Sequence, residues 1–167
     1  MNYHNIKYDD MLNGNGLRVT LFVSGCSHHC KECQNPQTWD CNSGILFDDD
    51  AKSELMELLS RKYIKGLTLS GGDPLNSNNI NEIYNLLKHI KQELPSKDVW
   101  IYSGYTYEEI LSNEDMFKVI ELCDVLVDGE FKIDLKDNNY KWAGSTNQRV
   151  IDIKKSLKEN KVILLED

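Results

Sequence analysis

The sequence lacks any apolar run approaching the roughly 20 residues that carry a helix across a bilayer, which excludes a helical membrane span. The first ten residues, MNYHNIKYDD, also lack the apolar core of a signal peptide, so a cytoplasmic protein is expected. Positive charge is short: 19 Lys and Arg stand against 27 Asp and Glu, a formal net charge of -8. Phosphate backbones and anionic membranes repel such a surface, so neither nucleic acid nor membrane is an expected partner. A protein or a small molecule is. The five cysteines are an odd number and three of them are clustered, which in a reducing compartment reads as metal ligation or reactivity before disulfides. Nor is the chain long enough to call for two cores, and its 167 residues are expected to form one domain, 1–167.

What is present is concentrated in one segment. Cys26, Cys30 and Cys33 stand as C-x3-C-x2-C within SGCSHHCKEC, residues 24–33. Three thiolates so close can bind three irons of a cubane cluster, leaving the fourth iron open to a small molecule. An open iron suggests chemistry rather than electron storage. The plainer reading is a tetrahedral zinc site completed by His28 or His29, part of a noncatalytic interaction module. Cys41 and Cys123 stand apart and are expected bystanders.

Hydrophobic periodicity gives the frame. The stretch 17–23, LRVTLFV, follows the turn NGNG and reads as a first strand ending at the cysteine loop. Ala51, Leu55, Leu58, Leu59 and Tyr63 recur at helical spacing before a strand at 67–70. Ile80, Ile83, Leu86, Leu87, Ile90 and Leu94 repeat that spacing up to Pro95, and 99–102 reads as strand. Met116 to Leu122 predicts another helix, 125–127 a strand, 154–160 a last helix and 162–165 a last strand. Residues 130–148 carry no clear period. Strands alternating with helices imply an α/β fold with a parallel sheet. Ligands in such folds gather at the carboxyl ends of the strands. The polar or Gly-rich clusters 24–33, 70–74, 103–106 and 128–131 are expected on that one face.

Together with the cysteines, six stretches resemble the radical S-adenosylmethionine enzymes, and within them the activating proteins of anaerobic (class III) ribonucleoside-triphosphate reductases. They are NGNGLR (13–18), QNPQTWD (34–40), SGGDPL (70–75), YSGYT (102–106), DVLVDGEF (124–131) and GSTNQR (144–149). The resemblance implies a single-domain partial (βα) barrel, its parallel sheet curved around one 4Fe-4S cluster held by Cys26, Cys30 and Cys33. It implies that the open iron binds the amino and carboxylate groups of S-adenosyl-L-methionine, and that an electron from reduced flavodoxin or a similar donor enters the cluster. Cleavage of the sulfonium then gives methionine and a 5′-deoxyadenosyl radical, which takes hydrogen from a glycine Cα of the reductase large subunit. Related activases of other glycyl-radical enzymes, such as pyruvate formate-lyase, are commonly longer and many carry additional cysteine motifs.

The same resemblance assigns cofactor contacts to Glu32, Cys33, Gln34, Gly71, Gly72, Asp73, Ser103 and Asp128, with no catalytic residue beyond the cluster ligands. Many superfamily members carry an aromatic residue where this chain has Glu32, so only a backbone contact carries over there. Read from the residues alone, the Gly-Gly-Asp-Pro string is a tight turn whose glycines permit close backbone approach. Asp128 either reaches ribose hydroxyls or begins a turn with Gly129, and Ser103, Gly104 and Tyr105 are open in the same way. Arg18 either orients a carboxylate or pairs with a buried acid. Residues 145–149 either meet the partner's glycine loop or are solvated. Trp39, Trp100 and Trp142 are expected to pack.

Overall fold

In the computed structural model, which describes residues 1–166, the chain opens with a strand that its sequence conceals. Strand β1 (Asn2–Asp10) buries Tyr3, Ile6 and Asp10, at intervals of three and four. Irregularities in its pairing with β2 (Arg18–Val23), between Tyr3 and Asn5 and between Lys7 and Asp10, break the period of two that identifies a strand. The remaining strands are β3 (Ile45–Leu46), β4 (Gly66–Gly71), β5 (Asp98–Tyr102), β6 (Val125–Asp128) and β7 (Arg149–Asp152). They form one open seven-stranded sheet in the order β3-β1-β2-β4-β5-β6-β7.

The expected parallel sheet is its centre. Strands β2, β4, β5 and β6 pair in parallel, whereas β1, β3 and β7 add antiparallel flanks. Helix α1 (Asp49–Ser60) leads into β4, α2 (Ile80–Glu93) joins β4 to β5, and α3 (Tyr107–Leu111) with α4 (Glu114–Ile120) joins β5 to β6. Helix α5 (Ile153–Glu159) follows β7. Tyr63 lies beyond α1 and is exposed, because Arg61 takes extended backbone at the helix end. The strand expected at 162–165 is reduced to a bridge between Ile151 and Leu164. Its backbone reaches β7 through the Asp152 N–H to Ile163 O and the Leu165 N–H to Val150 O, each 2.9 Å.

Leu21, Leu67, Leu69, Ile101 and Leu126 from the sheet and Leu55, Leu59, Ile83, Leu87 and Ile90 from the helices are fully buried in one core. A smaller apolar cluster holds Trp100, Val125 and Val127, and it is covered by Trp142 from the segment without a period. Trp142 meets Trp100 edge to face at 5.6 Å, and its carbonyl accepts the Tyr102 hydroxyl at 2.6 Å. All three tryptophans make packing contacts. Among the described residues, no helix is long and apolar enough to cross a membrane.

Candidate functional site

The four loops expected at the carboxyl ends of the strands do meet. A cavity of about 130 Å³ is lined by Cys26, Cys30 and Cys33 from the loop after β2, Gly71 to Asp73 at the end of β4 and just beyond it, Ser103 and Gly104 after β5, and Gly129 and Phe131 after β6. All three cysteines are free and half-buried.

The cysteine loop is tied at its root. Gly25, with φ near +102°, turns the chain so that its N–H donates to Thr38 O at 2.6 Å, and the Cys26 N–H donates to Trp39 O at 3.0 Å. Glycine adopts this backbone readily, whereas a side chain would be strained there. Further along, the Cys33 N–H donates to Cys30 O at 3.1 Å and the Asn35 N–H to the Cys33 Sγ at 3.3 Å. Burial pushes the Cys26 thiol up to about 11 and raises that of Cys30. Burial favours the neutral thiol at both positions, and a cation that binds there displaces their protons. Among the described residues no three His, Cys, Asp or Glu side chains converge at the spacing of a single ion. The three thiols ring a space, and a donor set of three sulfurs around a cavity suits a cubane with one iron left open.

The turn after β4 is pressed against this loop. A Cβ at Gly71 would lie 2.4 Å from Val23 N and O, and one at Gly72 would lie 2.5 Å from Gly25 O. The Gly72 N–H donates to Val23 O at 2.9 Å and the Asp73 N–H to Gly25 O at 2.8 Å. The close approach that these glycines permit is therefore to the end of β2, at Gly71, and to the start of the cysteine loop, at Gly72.

Asp73 fastens three loops. Its carboxylate, 2 % exposed, accepts from Ser103 Oγ at 3.0 Å, Gly104 N–H at 3.0 Å and Leu75 N–H at 2.9 Å. It also bonds His28 Nε2 at 2.8 Å, while His28 Nδ1 lies 3.1 Å from Glu130 Oε2. The bond to Asp73 raises the His28 pKa, against the opposing effect of burial. His28 thus acts as a clasp between the cysteine loop and the neighbouring strand ends.

Not every expected site residue shares the cavity. Gln34 lines it, whereas Glu32 is exposed, in left-handed backbone, and stands outside the lining. Ser103 lines it with its hydroxyl on Asp73. Asp128 is buried beside it, accepting from the Tyr107 N–H at 2.8 Å and from Arg149 Nε at 3.2 Å and Nη2 at 2.5 Å. Arg149 also grips Glu108 at 2.7 Å, and the Asp128 carboxylate in particular raises its pKa. Arg18 pairs with an acid: fully buried, it contacts Asp98 at 2.5 Å and also bonds Thr68 Oγ1, Leu67 O and Asn15 O.

Three further lining residues escape a reading by residue type. Trp39, Phe131 and Gln148 all face the cavity. Gln148 takes the Gly144 and Ser145 N–H groups on Oε1 and gives Nε2 to Gly129 O at 2.9 Å. In the 145–149 stretch Ser145 is fully buried and Thr146 is exposed, so the segment is fastened at Ser145 and Gln148 and reaches solvent between them. A larger groove of about 640 Å³ adjoins the site through Gln34, Tyr102 and Phe131, with exposed Met11 and Leu12 on its lining.

Comparison with known proteins agrees with this geometry. Residues 12–151 match the family described as a 4Fe-4S single cluster domain. The chain is 45 % identical over 152 residues to the anaerobic ribonucleoside-triphosphate reductase-activating protein of Escherichia coli (strain K12), covering 90 % of this chain and 97 % of that one. The protein of the same name from Enterobacteria phage T4 is 43 % identical over 150 residues, 90 % and 93 % of the two chains, and that of Pasteurella multocida (strain Pm70) is 40 % identical over 150 residues, 89 % and 95 %. The three spaced thiols around one cavity thus lie within the stretch that matches a 4Fe-4S domain, and the chain belongs to the family of anaerobic ribonucleoside-triphosphate reductase-activating proteins.

Proposed function

We propose that this protein activates an anaerobic ribonucleoside-triphosphate reductase by generating a glycyl radical on its large subunit, using S-adenosyl-L-methionine and one 4Fe-4S cluster. The observation that carries the reading is the meeting of Cys26, Cys30 and Cys33 with the Gly71–Asp73 turn in one cavity at the strand ends. When bound, the cluster supplies one electron for cleavage of the sulfonium, giving methionine and, after hydrogen transfer, 5′-deoxyadenosine.

The chain's own part is to bind, orient and exclude water. Cys26, Cys30 and Cys33 would hold three irons as thiolates, and the Asn35 N–H would stay on the Cys33 sulfur. In the turn, the Gly72 and Asp73 N–H groups are already given to Val23 O and Gly25 O, so carbonyl oxygens are what it can offer a ligand. Acceptors suit the methionyl ammonium group. Backbone of Glu32 to Gln34 and the hydroxyl of Ser103 are further candidates for the cofactor, with Asp128 shaping the ribose end through Gly129. The open sheet would curve around the cluster as a partial (βα) barrel, shielding it from water and oxygen on the strand side. Reduced flavodoxin or a similar cytoplasmic carrier would deliver the electron.

The test is anaerobic incubation of the iron-loaded protein with S-adenosyl-L-methionine, dithionite and the reductase, followed by electron paramagnetic resonance. A glycyl radical together with stoichiometric 5′-deoxyadenosine is expected. Cluster formation with no radical on the reductase and no 5′-deoxyadenosine would overturn the reading.

A further inference from the structure

The loop between β1 and β2 holds two apolar side chains out in water. Leu12 is 74 % exposed and Met11 64 %, the highest values for large apolar side chains among the described residues. The loop is nonetheless fixed. Asp10, buried at its foot, accepts the Leu12 N–H at 2.9 Å, Asn13 Nδ2 at 2.7 Å and the Thr20 hydroxyl at 2.6 Å. Beyond the tip, Asn13 O accepts the Thr68 hydroxyl at 2.6 Å and Asn15 O accepts Arg18 Nη1 at 2.9 Å. A lone exposed leucine is ordinary on a protein surface. Two adjacent apolar side chains on a stapled loop are instead presented, because the bonds beneath them prevent a collapse onto the core. Both border the groove of about 640 Å³, which shares Gln34, Asn35, Ser70, Tyr102, Phe131 and Gln148 with the cysteine cavity. On a chain of net charge -8, the described lining of this groove holds one charged residue, Lys141, and no carboxylate. A second hollow that meets the cavity, through Gly104 and Gly129, is lined with Glu108, Glu109, Glu130, Lys132 and Arg149 among others. The less charged approach to the thiols therefore runs past Met11 and Leu12.

We propose that Met11 and Leu12 are the anchor by which this protein docks on the reductase large subunit, where they fill an apolar hollow beside the segment that carries the target glycine. The inference rests on the proposed function and goes beyond it by naming the docking element. A radical formed at the cysteine cavity must meet its target Cα within contact distance, so the partner's surface has to close over an opening of that cavity. Closing over the groove brings that surface against the tip. An apolar hollow is the complement the tip calls for, because covering the two side chains removes apolar area from water. The staple at Asp10 means that little backbone freedom is lost on docking, and the flexible thioether of Met11 adapts to the walls it meets. A few anchors of this kind, seated in desolvated pockets, dominate the affinity of protein interfaces.

The test compares the iron-loaded wild type with the double variant Met11→Ser/Leu12→Ser. Cluster content, the urea midpoint and 5′-deoxyadenosine formation without reductase should match wild type, since both side chains are exposed and neither lines the cysteine cavity. The Kd for the reductase should rise about thirtyfold, equivalent to about 2 kcal/mol. The reductase concentration at half-maximal glycyl-radical formation should rise with it, while the rate at saturation holds. Ile45→Ser/Leu46→Ser removes a pair almost as exposed, 61 % and 63 %, from the edge strand β3, and should bind as wild type does. A second measurement needs no variant. In wild type labelled with ¹³C at its methionine methyls, the Met11 methyl signal should shift when reductase is added. Unchanged affinity in Met11→Ser/Leu12→Ser, an equal loss in Ile45→Ser/Leu46→Ser, or an unmoved Met11 signal in a formed complex would overturn the proposal. So would a Met11 signal that shifts with the protein's own concentration in the absence of reductase, which would assign the tip to a second copy of this chain. A wild type that neither binds the reductase nor puts a radical on it would instead overturn the proposed function beneath it.

Discussion

Gly72→Ala should damage the site by pushing the turn off the cysteine loop. The added Cβ would stand 2.5 Å from Gly25 O, 2.9 Å from Gly25 C and 3.0 Å from Gly25 N, all backbone atoms of the loop that begins the cysteine motif. No side chain can swing aside, so one segment must move by roughly half an ångström, and overpacking of this kind costs about 1 to 3 kcal/mol. The oxygen it strikes also accepts the Asp73 N–H at 2.8 Å. Weakening that bond adds about 0.5 to 1.5 kcal/mol. Against this stands a gain of about 0.4 to 1 kcal/mol, because alanine restricts the unfolded chain more than glycine does. The net expectation is a loss of about 0.5 to 4 kcal/mol, read as a lower urea midpoint at unchanged slope. Cluster content after anaerobic reconstitution should fall with it, since Cys26 follows the displaced residue. Gly129→Ala is the control: its φ of +92° makes alanine strained, but its Cβ would meet nothing nearer than 3.8 Å, so stability should drop while cluster content holds. Full stability and full cluster content in Gly72→Ala would refute the reasoning.

Replacing Cys26, Cys30 or Cys33 by Ala should abolish the visible absorbance of the reconstituted cluster, whereas Cys41→Ala and Cys123→Ala should retain it; Cys123 is buried against Val119 O and far from this role. Asp73→Ala strips the acceptor from Ser103 Oγ and from the Gly104 and Leu75 N–H groups, and should cost about 2 to 4 kcal/mol in urea unfolding and release His28. Asp10 is buried, which by itself raises its pKa, but bonds from Thr20, Asn13 and Leu12 and the charge of Lys7 outweigh burial and lower it. Its folded pKa thus lies below the unfolded value of about 3.9, so its contribution is present above that pH and disappears as pH falls through the folded pKa. In Asp10→Asn, the acid limb of a stability curve below about pH 4 should be flatter than in wild type.

The parts of the molecule legible in the sequence are those whose signal is local. Cys26, Cys30 and Cys33 are close along the chain, so their partnership needs no knowledge of the fold. The helix stripes of Leu55, Leu58 and Leu59 or of Ile83, Leu86, Leu87 and Ile90 face the core as their spacing requires. A capping box, Thr106 with Glu109, marks the start of α3, and the helix is missed because only five residues follow it. Strand β1 is hidden by its bulges, and β7 because it continues a stretch whose role is tertiary. Residues 130–148 show no period because they cover one face of the sheet through single anchors, Trp142 on Trp100 and Gln148 on Gly129 O, and not through a repeating stripe. Asp128 shows the limit most directly: its position at a strand end was readable, but its capture by Arg149 and the Tyr107 N–H depends on two segments about 20 residues away on either side.

The same separation between local and long-range signals explains how the site is kept ready for a cluster. A ten-residue loop with three cysteines would lose much conformational entropy if it were ordered only on binding. Here that ordering is done in folding, by anchors distributed along the loop: Gly25 and Cys26 bonded to Thr38 and Trp39 at the root, His28 held between Asp73 and Glu130 in the middle, and the Asn35 N–H on the Cys33 sulfur at the end. Asp73 then couples the loop to the ends of β4 and β5, so displacing any one of these segments disturbs the others. Removing Asp73 frees all of them at once, and for that reason a loss of cluster in Asp73→Ala reports on the cradle, whereas a loss in Cys30→Ala reports on the thiols themselves.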